Sequence, residues 1–266
     1  MKKILLSSVA LLGMGAAAVA ADLPARTMAP APAPFVAAPP MFTWTGFYAG
    51  VNAGWTRSEG HVNRGAFTGV GAGTLDAPLN DAFPTRLGNN NRSGFIGGVQ
   101  AGYNQQFGMF VAGIEADINW LGNRRFNTST TRDFAAVAPL SVNLGTSSRT
   151  DWLGTARLRA GVGFDRFLVY GTGGLAFGSP NHSVNVRVNN TLTHTGSTDD
   201  MKAGWTAGGG VEFAFTNNIT MKAEYLYYDL GRTTVTANPI APADGSVSAR
   251  FDNKGHIARV GLNYKF

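Results

Sequence analysis

The stretch SGFIGGVQAGYNQQFGMFVAGIEADINWLG, residues 93–122, decides how the rest of the chain is read. In its second half Phe110, Ala112, Ile114, Ala116, Ile118 and Trp120 alternate with Val111, Gly113, Glu115, Asp117 and Asn119. A period of two is the signature of a strand with two chemically different faces, whereas a helix would spread Glu115 and Asp117 over apolar surface. The first half alternates as well, with Phe95, Val99, Ala101 and Tyr103 set against Gly98, Gln100, Gly102 and Asn104. Only Phe107-Gly108 separates the halves, so together they predict a tight antiparallel hairpin. A soluble sandwich would turn the apolar face onto a core, and a membrane barrel would turn it to lipid.

Working outward, the same alternation predicts eight strands, at 44–57, 93–106, 109–121, 150–164, 167–178, 203–215, 218–230 and 254–266. The facing of the fifth is ambiguous, because its core is the glycine-rich VYGTGGLAFG. Connections of two residues alternate strictly with connections of more than twenty residues, the longest being 35. Long outer loops and short periplasmic turns are how an outer-membrane barrel sorts its connections, and a sandwich has no reason to do so. Aromatics fall in two sets. Phe47, Phe110, Phe164 and Phe213 lie near the short-turn ends, and Trp55, Phe95, Trp120, Trp152, Trp205 and Tyr225 near the long-loop ends. Two such sets match the interfacial belts of a membrane protein. The expected fold is therefore all-β, an eight-stranded antiparallel up-and-down transmembrane barrel.

Composition agrees. Charged residues make up 14% of the 266-residue chain and there are 35 glycines, which suits strands better than amphipathic surface helices. The absence of cysteine excludes disulfides, thiol catalysis and a lipid anchor on cysteine. The formal charge of +6 includes Lys2 and Lys3, and no basic stripe with interleaved aromatics occurs, so no nucleic-acid partner is expected. Lys2-Lys3, the apolar run 4–20 and the small residues 18–21 form the three parts of a signal peptide over 1–21, cleaved after Ala20 or Ala21. Residues 22–42 carry Pro24, Pro30, Pro32, Pro34, Pro39 and Pro40, which predicts an extended periplasmic tether. The barrel domain then spans 43–266.

Eight strands leave a lumen just wide enough for side chains to fill. The inward positions hold Glu115, Asp117, Glu212 and Glu224 with Arg157, Arg159, Lys222 and Arg259, four acids and four bases. Buried charges have to be paired, since an unpaired one costs several kcal/mol. The expectation is a salt-bridged plug that stiffens the barrel; the alternative is a charged lining for a narrow pore passing ions or small solutes. No Ser-His-Asp set, HExxH or phosphate loop appears in context, so no enzyme and no cofactor or metal is expected. His61, His182 and His194 fall in expected loops, and His256 opens the last strand. The terminal LNYKF, with Tyr264 and Phe266 outward, reads as an assembly signal for the barrel-inserting machinery.

The segments WTGFYAGVNAGW (44–55), GFIGGVQAGYNQQFG (94–108), FVAGIEADINW (110–120), DWLGTARLRAGVGF (151–164) and YGTGGLAFG (170–178) resemble the small outer-membrane barrel family of alphaproteobacteria. So do GWTAGGGVEFAFTNNITMKAEYLYYDLG (204–231), VGLNYKF (260–266) and the leader junction ADLPAR (21–26). This is the RopB-type surface-antigen group of OmpA-like barrels, often labelled "porin family". The resemblance covers all eight strands and none of the four long loops. It implies an integral protein of the outer membrane, in contact with lipid and lipopolysaccharide, that supports envelope integrity and surface interactions. A surface ligand would be held by the loops. Oligomeric state is left open.

Overall fold

A computed structural model describes residues 42–89, 91–122, 126–134 and 140–266. The expected signal peptide and nearly all of the proline-rich tether lie outside the described residues. Eight strands close a ring by antiparallel pairing: β1 (Gly46–Glu59), β4 (Arg92–Phe107), β5 (Phe110–Leu121), β7 (Leu140–Phe164), β8 (Phe167–Val188), β10 (Lys202–Ala214), β11 (Ile219–Pro239) and β12 (Ser246–Lys265), which pairs back to β1. Closure leaves no unpaired edge at membrane depth, as hydrocarbon requires. At the β4–β5 turn Gly108 has φ +62°, a left-handed conformation that glycine adopts without steric cost.

The outward face is apolar. Val51, Val99, Ile114, Leu158, Val169, Leu175, Val211 and Leu262 are exposed between the two aromatic sets. Phe47, Phe110 and Phe164 stand outward at the short-turn end, and Trp55, Phe95, Trp120, Trp205 and Tyr225 at the other. Phe213 and Trp152 are half-buried on the same outer surface, Phe213 between Phe167 (4.6 Å) and Phe215 (5.0 Å). Tyr264 and Phe266 are outward at the chain end, 5.2 Å apart. In the fifth membrane strand, where the sequence left facing ambiguous, Leu168 and Tyr170 point in and Val169 and Leu175 out.

The four long connections are where structure and expectation differ. They are largely sheet. Beyond the outer aromatic set β7, β8, β11 and β12 simply continue. They are joined by β2 (His61–Thr68), β3 (Arg86–Asn89), β6 (Phe126–Phe134) and β9 (Thr191–Thr198), which pair with β12, β2, β7 and with both β8 and β11 respectively. A short helix, α1 (Asp76–Ala82), packs against β2 and contributes Leu79. The barrel thus extends upward into a crown, and its polarity inverts there. Val62, Phe67, Val142, Leu144, Val184, Val186, Val235, Ala237, Val247, Ala249 and Phe251 face inward as one apolar cluster, while Arg187, Thr234, Thr236 and Arg250 face out and a few polar groups such as Thr146, Thr233 and Asn253 stay buried. Water outside the crown favours polar residues where lipid outside the barrel favours apolar ones. Segments such as SVNVRV and TTVTAN therefore alternate as strands but with the opposite sense, and their modest hydrophobicity concealed them.

Candidate functional site

The lumen is layered. At the short-turn end Trp44, Val111, Leu168, Tyr170 and Ala214 form an apolar cap, with Phe42 against it. Above the charged layer lies a second apolar layer of Ile96, Leu121, Leu153, Ala176, Leu226, Tyr228, Leu230 and Ile257. Sequence reasoning missed this layer, although Ile96, Leu226 and Ile257 all hold inward parity on strands whose facing was already clear.

Between these layers all eight expected charged residues meet. None is more than 7% exposed. Strand register sets the contacts, since Glu115 on β5 stands directly opposite Arg157 on β7, and Glu224 on β11 opposite Arg259 on β12. The Arg157 guanidinium donates to Glu115 (2.5 Å), Asp117 (2.8 Å) and Glu224 (3.0 Å). Arg259 holds Glu224 at 2.6 Å and Asp117 at 3.1 Å. Arg159 reaches Glu212 at 2.7 Å and Glu115 at 3.2 Å, and the Lys222 ammonium donates to both oxygens of Glu115 at 2.7 and 2.8 Å. Forked guanidinium bonds of this kind are about twice as strong as neutral ones.

Neutral side chains satisfy the remaining carboxylate lone pairs. Tyr48 donates to Glu115 (2.6 Å), Thr155 to Asp117 (2.6 Å), Tyr170 to Glu224 (3.1 Å), and Thr220 (2.5 Å) and Asn263 (3.0 Å) to Glu212. The Arg159 guanidinium also lies 3.9 Å from the centre of the Tyr170 ring. Those partners share the inward parity of the charges, which is the signal by which the sequence could have found them.

Residues 7–266 match the family model of the outer membrane protein beta-barrel domain. The chain belongs to that family. Among its relatives, the 31 kDa outer-membrane immunogenic protein of Brucella melitensis biotype 1 is 36% identical over the whole of both chains. A 22 kDa outer membrane protein of Rhizobium leguminosarum bv. viciae is 32% identical, over 65% of this chain and 67% of its own. Among solved structures, the outer membrane protein OprG from Pseudomonas aeruginosa is 13% identical with a TM-score of 0.44, covering 84% of this chain and 96% of that one. As a member of the family, this protein is an antiparallel barrel of the outer membrane, similar to alphaproteobacterial surface antigens.

The histidines are placed apart. His256 faces outward, its Nδ1 2.7 Å from the Tyr225 hydroxyl, and His61 lies on β2. His194 is buried in the crown, with Nε2 2.9 Å from the Asp244 carbonyl. His182 lies on β8 seven residues beyond Leu175, which registers with Trp205 of the outer aromatic set, and so is above the membrane. It stacks on Phe251 at 4.3 Å, with Nε2 2.9 Å from Asn253 Oδ1, while Nδ1 is buried without a hydrogen-bond partner. Burial pushes this imidazole down to about 4; nearby Arg92 and Lys202 add to the effect, and the Asn253 contact opposes it.

The unfolded chain therefore takes up a proton on His182 near pH 6.5 that the folded crown refuses until about pH 4. Crown stability is full above pH 6.5 and falls as pH drops towards 4, by roughly 2–4 kcal/mol. Hydrogen-exchange protection factors, taken relative to the intrinsic exchange rate at each pH, are expected to fall in the outer parts of β8, β11 and β12 between pH 7 and pH 4.5. The His182→Gln variant, which keeps a partner for Asn253 without titrating, is expected to show little of that fall in protection.

Proposed function

We propose that this outer-membrane barrel is a sealed structural protein. It spans the membrane to strengthen the envelope and to carry a stiff β crown for contact at the cell surface. One observation carries the reading: four acids and four bases span the lumen and are all ion-paired or hydrogen-bonded. Apolar layers above and below them support it further. A hydrated ion crossing this cross-section would have to break charge-assisted bonds in a low dielectric and then pass closely packed Leu and Ile side chains. The outer aromatics would anchor the barrel against lipid and lipopolysaccharide, and Tyr264 and Phe266 would be read by the assembly machinery. Residues 1–21 would be removed on export and 22–42 would lie in the periplasm as a tether. The role is not enzymatic in this reading, and hydrolysis of lipid or peptide by the purified barrel would overturn that part.

The full chain in a planar bilayer is expected to be electrically silent, while running as a compact, heat-sensitive band on a gel. Discrete, ion-selective conductance steps would replace the sealed reading with that of a narrow porin.

A further inference from the structure

On the outer face of the crown one matched row crosses four strands. Arg86 on β3 stands opposite Asn63 on β2, Asn63 opposite Arg250 on β12, and Arg250 opposite Thr234 on β11. Beside this row the β2–β12 pairing slips between Val247 and Ala249, so that the sheet bulges there. A hollow of about 470 Å³ opens at the bulge, lined chiefly by Asn63, Arg64, Thr85, Thr234, Ser248 and Arg250. That volume falls in the roughly 300–1,000 Å³ range of small-ligand sites. Gly65 maintains it, since a Cβ there would collide with the Ser248 hydroxyl.

The hollow is rich in donors, and no carboxylate lines it. Arg64 is held in place by donating to the Gly65 carbonyl at 2.5 Å, to Asn80 Oδ1 at 2.6 Å and to the Asn80 carbonyl at 2.9 Å, and its Nε is buried without a partner. Elsewhere on the outer surface Arg57, Arg149 and Arg232 hold Glu59, Asp151 and Asp252. Arg250 and Arg86 hold no carboxylate among the described residues. Asp252, two residues from Arg250, is taken by Arg232 at 3.1 Å.

Guanidiniums that hold no carboxylate favour an oxyanion that accepts their bonds. Three hydroxyls and an amide around them favour a polyhydroxylated body. We propose that this hollow binds an acidic saccharide, with its sulfate or phosphate group on Arg250 and Arg64 and its ring hydroxyls on Asn63, Thr85, Thr234 and Ser248. Arg86, next in the row, draws the acid group in. Such a sugar has two sources, a sulfated glycan of another cell and the phosphorylated core of the membrane's own lipopolysaccharide. The inference gives the surface-contact role a ligand class and rests on the crown facing the medium. It does not depend on whether the lumen conducts.

The test is calorimetric titration of the full chain in detergent micelles with a heparin-derived hexasaccharide, a phosphorylated lipopolysaccharide-core oligosaccharide and neutral maltohexaose. One acidic probe is expected to bind, more weakly as salt rises, and the tighter of the two names the source. Arg250→Ala is expected to weaken binding at least tenfold. Arg187→Ala, which removes the same charge elsewhere on the crown, is expected to change it less than twofold, with heat-dependent mobility showing both variants folded. Failure of both acidic probes to bind overturns the proposal, as does equal binding of maltohexaose. An equal loss in Arg187→Ala also overturns it, because the attraction would then be that of net charge alone.

Discussion

Replacing Arg157 by methionine is expected to lower the stability of the folded barrel by about 3–5 kcal/mol. The guanidinium bonds three carboxylates at once, on β5 and β11, and its removal leaves four acids facing three bases in a closed cross-section. Methionine replaces most of the lost volume, so the effect reports charge more than packing. The urea midpoint for unfolding from lysophospholipid micelles measures it, and the heat-sensitive gel band gives an independent reading. Arg157→Lys keeps the charge but not the fork and should lie between. Adding Glu224→Gln to the methionine variant removes one of the stranded charges and should recover part of the loss. A loss under about 1 kcal/mol would mean that water screens the network, and the sealed lumen would then be wrong.

One residue along, the opposite experiment has an effect of similar size. Leu158 lies between Arg157 and Arg159 in sequence, midway along the membrane part of β7, and is 69% exposed on the outer face. Leu158→Arg places a guanidinium against the hydrocarbon midplane and is expected to cost about 2–4 kcal/mol. Arginine is thus stabilising at 157 and 159 and destabilising at 158, because successive side chains of a strand face opposite ways. The same change at Thr236, exposed on the outer part of β11 in the crown, should stay within about 0.5 kcal/mol, since water solvates it there. The urea midpoints of the two variants, compared with their amounts in isolated outer membranes, test this directly. If Leu158→Arg were as mild as Thr236→Arg, the apolar face would not be facing lipid.

Much of this architecture was legible from alternation alone. Glu115 and Asp117 inside, Ile114 and Trp120 outside, and the two-residue turn at Phe107-Gly108 follow from a period of two and a single glycine, so eight strands and the charge inventory of the lumen could be read by parity. Parity states which face a residue takes, and the membrane environment states which chemistry that face prefers. Both are local. Other features are not. That Arg157 gathers Glu115 and Asp117 with Glu224, 67 positions away, depends on closure and stagger of the ring, which bring β7 and β11 side chains across the lumen. The crown was hidden for a related reason. Its strands obey the same period, but the solvent outside changes from lipid to water at the outer aromatics, which reverses the sense of the pattern. Bulges between Thr150 and Leu153 and between Asp229 and Arg232 shift its phase as well. Alternation within one strand determined where the chain spans the membrane. The pairings that join charges inside it and arginines outside it were decided only when distant strands came into register.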